Sequence, residues 1–331
     1  MSVGLRIGAR PSALALAQAS LVRRALTERL SGLEIEIVPI RTSGDKIQTA
    51  SLARVGGKGL FVRELEEALS EHRIDAAVHS MKDLPAILPH QFHLAAVPQR
   101  EASYDVLLTR SRGGWASMPG GARLGTSSVR RRLQALRACP ALEVLPLRGN
   151  VDTRLQRLRS GNFDAIILAA AGLKRLGLFS DERLQSYDRA ADEIFVTELD
   201  LHDFVPSGGQ GALAVETLRD WPLRSPEIEN EIQALTDLRT LAEITAERAF
   251  LATIGASCVS PVGVNATTCN DSLRLRALLF SVDGGRSLSA ELAGELPASS
   301  RDQIEQTATR LGERLGCLML ERGAGELIGR E

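Results

Sequence analysis

The 331-residue chain has 44% hydrophobic and 24% charged residues and a formal charge of -1 at pH 7. This balance excludes a disordered polyelectrolyte and provides neither a basic field for nucleic acid nor an acidic solvating tail. The length exceeds what one hydrophobic core usually serves, so two or three domains are expected.

Met1-Ser2-Val3-Gly4-Leu5-Arg6 runs directly into a strand-like stretch, without an export-signal pattern, and no apolar run approaches the roughly twenty residues of a membrane span. The expectation is a cytoplasmic protein that binds neither membrane nor nucleic acid. Of forty basic residues only Lys46, Lys58, Lys82 and Lys174 are lysines. The arginine excess reflects codon usage or a demand for planar forks that grip carboxylates in pairs.

In chain order, β-branched runs at 5–9, 34–40, 74–79, 92–97, 106–109, 123–125, 142–147, 163–169 and 212–216 predict strands. Helical patterns follow most of them, as a mainly parallel α/β fold requires. Leu14, Gln18, Leu21, Val22, Ala25 and Leu26 give the first helix its apolar stripe. The segment Ile74-Asp75-Ala76-Ala77-Val78 is echoed by Phe163-Asp164-Ala165-Ile166-Ile167, and Ile7-Gly8 by Leu124-Gly125, which suggests two similar lobes.

The boundary between them is expected near Gln99-Arg100-Glu101-Ala102, with a return path at 199–211. After Trp221-Pro222 the pattern predicts one long helix at 226–254 and a strand at 259–267. A hairpin follows around Val282-Asp283-Gly284-Gly285, where Asp-Gly suits a primed turn, and Ser299 or Ser300 caps a final helix. That helix carries Ile304, Ala308, Leu311, Leu315 and Leu318 on one face, with Cys317 as packing. The division is therefore 1–99 with 200–217, then 100–199, then 218–331.

Three loops have the form of anion sites, where helix N-termini meet basic side chains. They are Gly8-Ala9-Arg10-Pro11-Ser12, Gly56-Gly57-Lys58-Gly59 and Gly125-Thr126-Ser127-Ser128-Val129-Arg130-Arg131. Cations in a first helical turn oppose the helix dipole, so an anionic ligand explains Arg130 and Arg131 better than a solvated face does. Arg148-Gly149-Asn150 and Arg154 repeat the arrangement, while plain helix caps account equally for Ser12 and Asn150.

His79-Ser80-Met81-Lys82-Asp83-Leu84-Pro85 places a carboxylate beside a cation at a strand end, as a catalytic acid or as a surface ion pair. Gly56–Lys58 lacks the Walker spacing, which also removes an ATPase reading of Ser207-Gly208-Gly209-Gln210. Those glycines suit a tight crossing from which Gln210 reaches the cleft. Cys139, Cys258, Cys269 and Cys317 show neither metal nor disulfide spacing, and small buried packing groups are expected except at Cys258, which a loop presents. No metal is implied.

Together, Val55-Gly56-Gly57-Lys58-Gly59-Leu60-Phe61, the His79–Pro85 run, Gly125-Thr126-Ser127-Ser128 with Arg130 and Arg131, Leu147-Arg148-Gly149-Asn150-Val151 and Gly209-Gln210-Gly211-Ala212 resemble the porphobilinogen deaminase family over almost the whole chain. The resemblance implies an α/β fold with two periplasmic-binding-protein-like lobes around a cleft. A smaller C-terminal α/β domain with an antiparallel sheet, in a monomer, completes it. It implies a transferase in tetrapyrrole synthesis that joins four porphobilinogen molecules, with loss of ammonia, on a dipyrromethane held through a thioether to Cys258, then releases hydroxymethylbilane.

By the same resemblance Asp83 is catalytic and Lys82, Ser80, Ser127, Arg130 and Arg131 hold the cofactor. Arg10, Ser12, Lys58, Arg148, Asn150, Arg154, Arg175 and Gln210 take the substrate. Ala256-Ser257 in place of the family's Gly-Gly, Pro11 and Ala13 at positions usually different, and an insertion at 187–201 depart from its pattern. A noncatalytic two-lobe anion-binding protein is the alternative, and it would need neither Asp83 nor Cys258.

Overall fold

The computed structural model describes residues 4–30, 32–43, 62–179, 194–220, 225–256, 260–296 and 300–329. Its first half runs β1 (Leu5–Ala9), α1 (Ala13–Arg29), β2 (Ile35–Pro39), α2 (Arg63–Ser70), β3 (Ala76–Ser80), β4 (Phe92–Ala96) and β5 (Asp105–Thr109). There follow β6 (Arg123–Gly125), α3 (Val129–Ala138), β7 (Glu143–Leu145), α4 (Val151–Arg159), β8 (Ala165–Ala169), α5 (Ala170–Arg175), β9 (Phe195–Glu198) and β10 (Leu213–Leu218). The last part is α6 (Pro226–Gln233), α7 (Leu238–Ile254), β11 (Val262–Cys269), β12 (Ser272–Phe280), β13 (Ser287–Glu295), α8 (Arg301–Glu321) and α9 (Ala324–Leu327).

Two five-stranded sheets have the same plan, β2-β1-β3-β10-β4 and β7-β6-β8-β5-β9. In each, the fourth strand runs antiparallel to its neighbours. The echoed segments occupy equivalent places, β1 with β6 and β3 with β8. Each sheet borrows its antiparallel strand across the molecule: the chain leaves the first sheet after β4 to lay down β5 in the second, and returns after β9 as β10. This reciprocal exchange gives two lobes of the same topology, as the α/β fold of two lobes expected from the sequence requires. The third sheet is the antiparallel β11-β12-β13, whose inner face packs Leu275 and Leu279 against Phe250 of α7 and Leu315 of α8.

Several expectations are corrected. The helix expected over 226–254 is two helices, because Asp237 caps α7 by accepting from the Thr240 amide at 2.7 Å while its own amide donates to the Val97 carbonyl at 2.9 Å. Ile228 and Ile232 of α6 join the core of the first sheet, so this helix sits on the first lobe rather than with the third sheet. In α1 the buried stripe is Ala15, Gln18, Ala19, Val22 and Leu26, with Leu14, Leu21 and Ala25 only partly covered at its margin.

The expected primed turn is a six-residue loop, Ser281 to Arg286, closed by the Ser281 amide on the Arg286 carbonyl at 2.9 Å. Only Gly284 there takes positive φ, 82°. Cys317 is exposed because it lies off the Leu311–Leu315–Met319 stripe of α8, and Cys269 is exposed at the end of β11. Part of the 187–201 insertion forms the edge strand β9, whose alternation is too short to register in the sequence. Ser300, not Ser299, is the N-cap of α8. Among the described residues no helix is long and apolar enough to cross a membrane.

The α7–α8 crossing is close enough to test. A Cβ on Gly312 would stand 2.3 Å from the Ala246 carbonyl oxygen and 2.9 Å from the Phe250 amide, both backbone. Gly312→Ala should therefore lower stability by about 1–3 kcal/mol, read as a lower urea midpoint. Gly120→Ala, where an added Cβ meets nothing, should leave the midpoint unchanged.

Candidate active site

The strand β3 delivers the candidate catalytic residue. After Ser80 the chain makes one 3-10 turn, Met81–Asp83, and Pro85 then holds Leu84 extended. Met81 and Leu84 are buried and anchor the turn, leaving Lys82 and Asp83 half-buried between them. The Met81 amide donates to the Ala212 carbonyl at 3.0 Å, and Gln18 Nε2 donates to Ser80 Oγ at 2.9 Å. From the other side Gly209, at φ 78°, lies so near that a Cβ would stand 2.8 Å from the Lys82 amide. Among the described residues the Asp83 carboxylate accepts no hydrogen bond.

From this turn a polar chain crosses between the lobes. Lys82 Nζ donates to Gln210 Oε1 at 3.3 Å, and Gln210 Nε2 donates to Asp105 Oδ1 at 2.9 Å and to the Ser103 carbonyl at 2.8 Å. Asp105 is fully buried between Arg130 Nη2 at 2.8 Å and Arg131 Nη2 at 2.7 Å. Burial disfavours its charge, but Arg131 and Arg130 overcome that and hold the carboxyl well below the usual carboxylate range.

Asp105 revises the reading of the α3 N-terminus. An internal anion, not only a bound one, compensates the cations that oppose the helix dipole. Arg130 and Arg131 also donate to the carbonyls of Val205 at 2.8 Å and Ile167 at 3.0 Å, so most of both forks is committed to the protein. Arg131 Nε is the exception, buried without a partner among the described residues.

Asn150 Oδ1 caps α4, accepting from the Thr153 amide at 2.9 Å, and Ser12 Oγ caps α1, accepting from the Ala15 amide at 3.3 Å. Ser127 Oγ donates to the Leu147 carbonyl at 3.0 Å, which ties the α3 loop to the loop bearing Arg148. Arg154 Nε donates to the Gly149 carbonyl at 2.8 Å. Its guanidinium is pulled down to about 10 by burial and by the charges of Arg131 and Arg148, so these three arginines share one field. Arg175 Nη2 donates to the Gly211 carbonyl at 2.7 Å and thus sits at the lobe crossing. Arg10 precedes α1 on the first lobe. Lys58 and Cys258 lie outside the described residues.

Lys82 registers the same field. Burial, then Arg131, pull its ammonium down to about 8, against the opposing pull of Asp83 and Asp105. Among the described residues, the partnerless Arg131 Nε, the charges of Arg131 and Arg148 acting against Arg154, and an Asp83 carboxylate that accepts no hydrogen bond together fit a ligand with several carboxylates and ring N–H groups. Dipyrromethane has that chemistry. Sequence reasoning missed Asp105, which reads as an ordinary strand residue, and gave Gln18 only a packing role within an apolar stripe.

Comparison with known proteins follows the same lines. The family profile described as "Porphobilinogen deaminase, dipyromethane cofactor binding domain" matches residues 5–222, and that described as "Porphobilinogen deaminase, C-terminal domain" matches residues 241–321. The porphobilinogen deaminase of Syntrophobacter fumaroxidans is 41% identical over 324 residues, covering 98% of this chain and 96% of that protein. That of Syntrophotalea carbinolica is 42% identical over 327 residues, covering 99% and 96%. A solved periplasmic domain of Bordetella pertussis BvgS is 14% identical, covering 70% of this chain and 86% of that one, with a TM-score of 0.38.

The weight carried by Asp105 can be measured. Asp105→Asn leaves two buried guanidiniums without their anion and should cost about 3–5 kcal/mol. Because the folded carboxyl titrates far below its ordinary 3.8, its contribution is complete above that value and is lost as pH falls beneath it. The urea midpoints of wild type and variant should therefore converge in acid.

Proposed function

We propose a role for each part of the cleft on the premise that this chain belongs to the porphobilinogen deaminase family. It is an enzyme of tetrapyrrole synthesis, a transferase acting on porphobilinogen with a dipyrromethane cofactor. Four porphobilinogen molecules condense one by one, and water releases the linear tetrapyrrole hydroxymethylbilane. The finer assignment is hydroxymethylbilane synthase with loss of one ammonia per addition, carried out by a monomer. No observation favours the noncatalytic alternative.

The observation that carries the reading is Asp83, a carboxylate that accepts no hydrogen bond among the described residues, beside Lys82 and within the shared field of Arg131, Arg148 and Arg154. Cys258, four residues beyond the end of α7, is the proposed attachment point. When bound, the dipyrromethane supplies the pyrrole carbon on which chain growth begins. Lys82, Arg131 through Nε, Arg148 and Arg154 would hold acetate and propionate groups, and Arg10 is proposed to add a cation from the first lobe.

Asp83 is proposed to accept hydrogen bonds from pyrrole N–H groups and to offset the positive charge that develops on a substrate ring as its amine departs. The protonated Lys82 beside it attracts carboxylates. Ser12, Ser127 and Asn150 support the site through backbone, as caps and a loop tie. Gln210 couples Lys82 to Asp105, so the turn and the second lobe hold one register. Ser80 is held through Gln18, Arg175 braces the crossing at Gly211, and Lys58 is proposed to add a cation from its own loop.

Intact mass under denaturing conditions tests the premise, beside a Cys258→Ser control. A covalent excess of two condensed pyrrole units, absent from the control, is the expected result. No excess after incubation with porphobilinogen would remove the covalent cofactor. Asp83→Ala should keep the fold and stall condensation, and normal turnover by that variant would refute its role.

The Lys82 ammonium holds its proton below about pH 8 and loses it above. Ammonia release per enzyme at limiting substrate should therefore fall as pH rises through about 8. Lys82→Met should give a lower rate without that limb.

A further inference from the structure

Beside the Met81–Asp83 turn lies a second group of titratable side chains. His79 on β3 and Glu216 on β10 have side chains 3% and 0% exposed, and His79 Nε2 stands 3.0 Å from Glu216 Oε2. The pair is close enough for an ion pair but misaligned for a hydrogen bond. His79 Nε2 and both Glu216 oxygens are buried with no hydrogen-bond partner among the described residues. The pairing of β10 with β4 shifts register between Val215 and Glu216, so the carboxylate sits at a local irregularity of the strand.

Three further elements bring charges to this pair. Glu66 of α2 is half-buried, and burial followed by the charge of Glu216 pushes its carboxyl up to about 7, with His79 opposing. Arg248 of α7 donates through Nη1 to Met81 Sδ at 3.7 Å, inside the turn itself. Burial pulls its guanidinium down to about 10, with Glu216 opposing. His93 of β4, lowered by burial and then by Arg219, also lies within the field of Glu216.

A buried carboxylate without hydrogen bonds is costly, and an apolar pair of the same volume would usually stabilise the fold as well or better. Folding alone therefore gives no reason for His79 and Glu216. Their placement gives one: α2 follows the segment bearing Lys58, Asp83 stands four residues beyond His79 of β3, and α7 ends four residues before Cys258. Each of these elements brings one titratable side chain, Glu66, His79 or Arg248, into the surroundings of Glu216.

We infer that His79 and Glu216, with Glu66 and Arg248 around them, are positioning residues of the reaction, holding the Met81–Asp83 turn in register with α2 and α7. The inference rests on the activity proposed above. It involves no contact between these four residues and substrate. Loss of one charge should shift the turn that Arg248 grips at Met81, and with it Asp83, while the arginines that take carboxylates stay in place.

The test uses cofactor-loaded enzyme. Wild type is assayed first: failure to make tetrapyrrole from porphobilinogen would defeat the proposed function itself. Given an active wild type, Glu216→Gln should keep the covalent mass and the thermal midpoint, lose about tenfold or more in kcat, and change KM little, as a displaced catalytic group does. The acid limb of its kcat profile should move to lower pH, because Glu66 no longer faces a second carboxylate.

Wild-type kcat and an unmoved limb in Glu216→Gln would overturn the inference. A His79→Met, Glu216→Met double variant that folds and turns over like wild type would overturn it too, since apolar packing would then suffice. Should either fail to fold, Glu66→Gln decides on a half-exposed side chain: a kcat profile superimposable on wild type refutes the inference, and loss of the limb supports it.

Discussion

The buried carboxylate of Asp105 is the interaction on which the cleft depends. It stands at the first residue of β5, where the chain has just crossed from one lobe to the other, and binds two guanidiniums of α3 and the amide of Gln210. An isolated carboxylate fully removed from water would protonate or unfold its surroundings. Two charge-assisted partners and an amide make it tolerable and also fix the first turn of α3. One negative charge against two positive ones leaves an excess that Lys82 increases. The site is thus organised by an anion and remains cationic.

A second buried ion pair sets where the third sheet sits. Arg100, in the outgoing crossover, donates to Glu247 at 2.8 Å, to Glu243 at 3.2 Å and to the Gln210 carbonyl at 2.9 Å. Glu247 in turn accepts from the Gly209 amide at 2.6 Å and the Ala266 amide at 2.7 Å. Outgoing crossover, returning crossover, α7 and β11 therefore meet at one carboxylate. The crossovers must touch for this to happen, and Gly211 at φ 88° permits it: a Cβ there would lie 2.2 Å from the Glu101 carbonyl oxygen. Gly209 does the same against the Lys82 amide.

Period and punctuation made most of the fold legible. The strands of both sheets, except β9, and the echo between β1 and β6 or β3 and β8 follow from β-branched runs ending in loops that carry chemistry. What escaped was set by partners far away in sequence. Asp237 divides a helical run because Val97 is there to receive its amide, and neither residue alone signals a break. Arg130 and Arg131 were legible as a cationic first turn, but Asp105, their internal anion, lies 25 and 26 residues upstream in a strand. His79 and Glu216 read as ordinary members of alternating strands, since only the sheet order brings them together.

The electrostatic balance explains why a chain with a net charge of -1 builds a site for polyanions. Lys82 falls from 10.5 to about 8, and Arg154 falls to about 10, largely through burial and secondarily through neighbouring cations. For Lys82 this corresponds to roughly 3 kcal/mol held against the protonated form. An apolar cleft would avoid that cost. A carboxylate arriving beside the ammonium recovers it, because the ligand's charge offsets both the desolvation and the repulsion from Arg131. Each further carboxylate entering the field of Arg148 and Arg154 would do likewise, so on the proposed function the site would discriminate by the number and spacing of anions rather than by shape alone. Asp83, whose carboxylate accepts no hydrogen bond among the described residues, is on the proposed reading the group that meets ring N–H groups and the positive charge developing on the substrate.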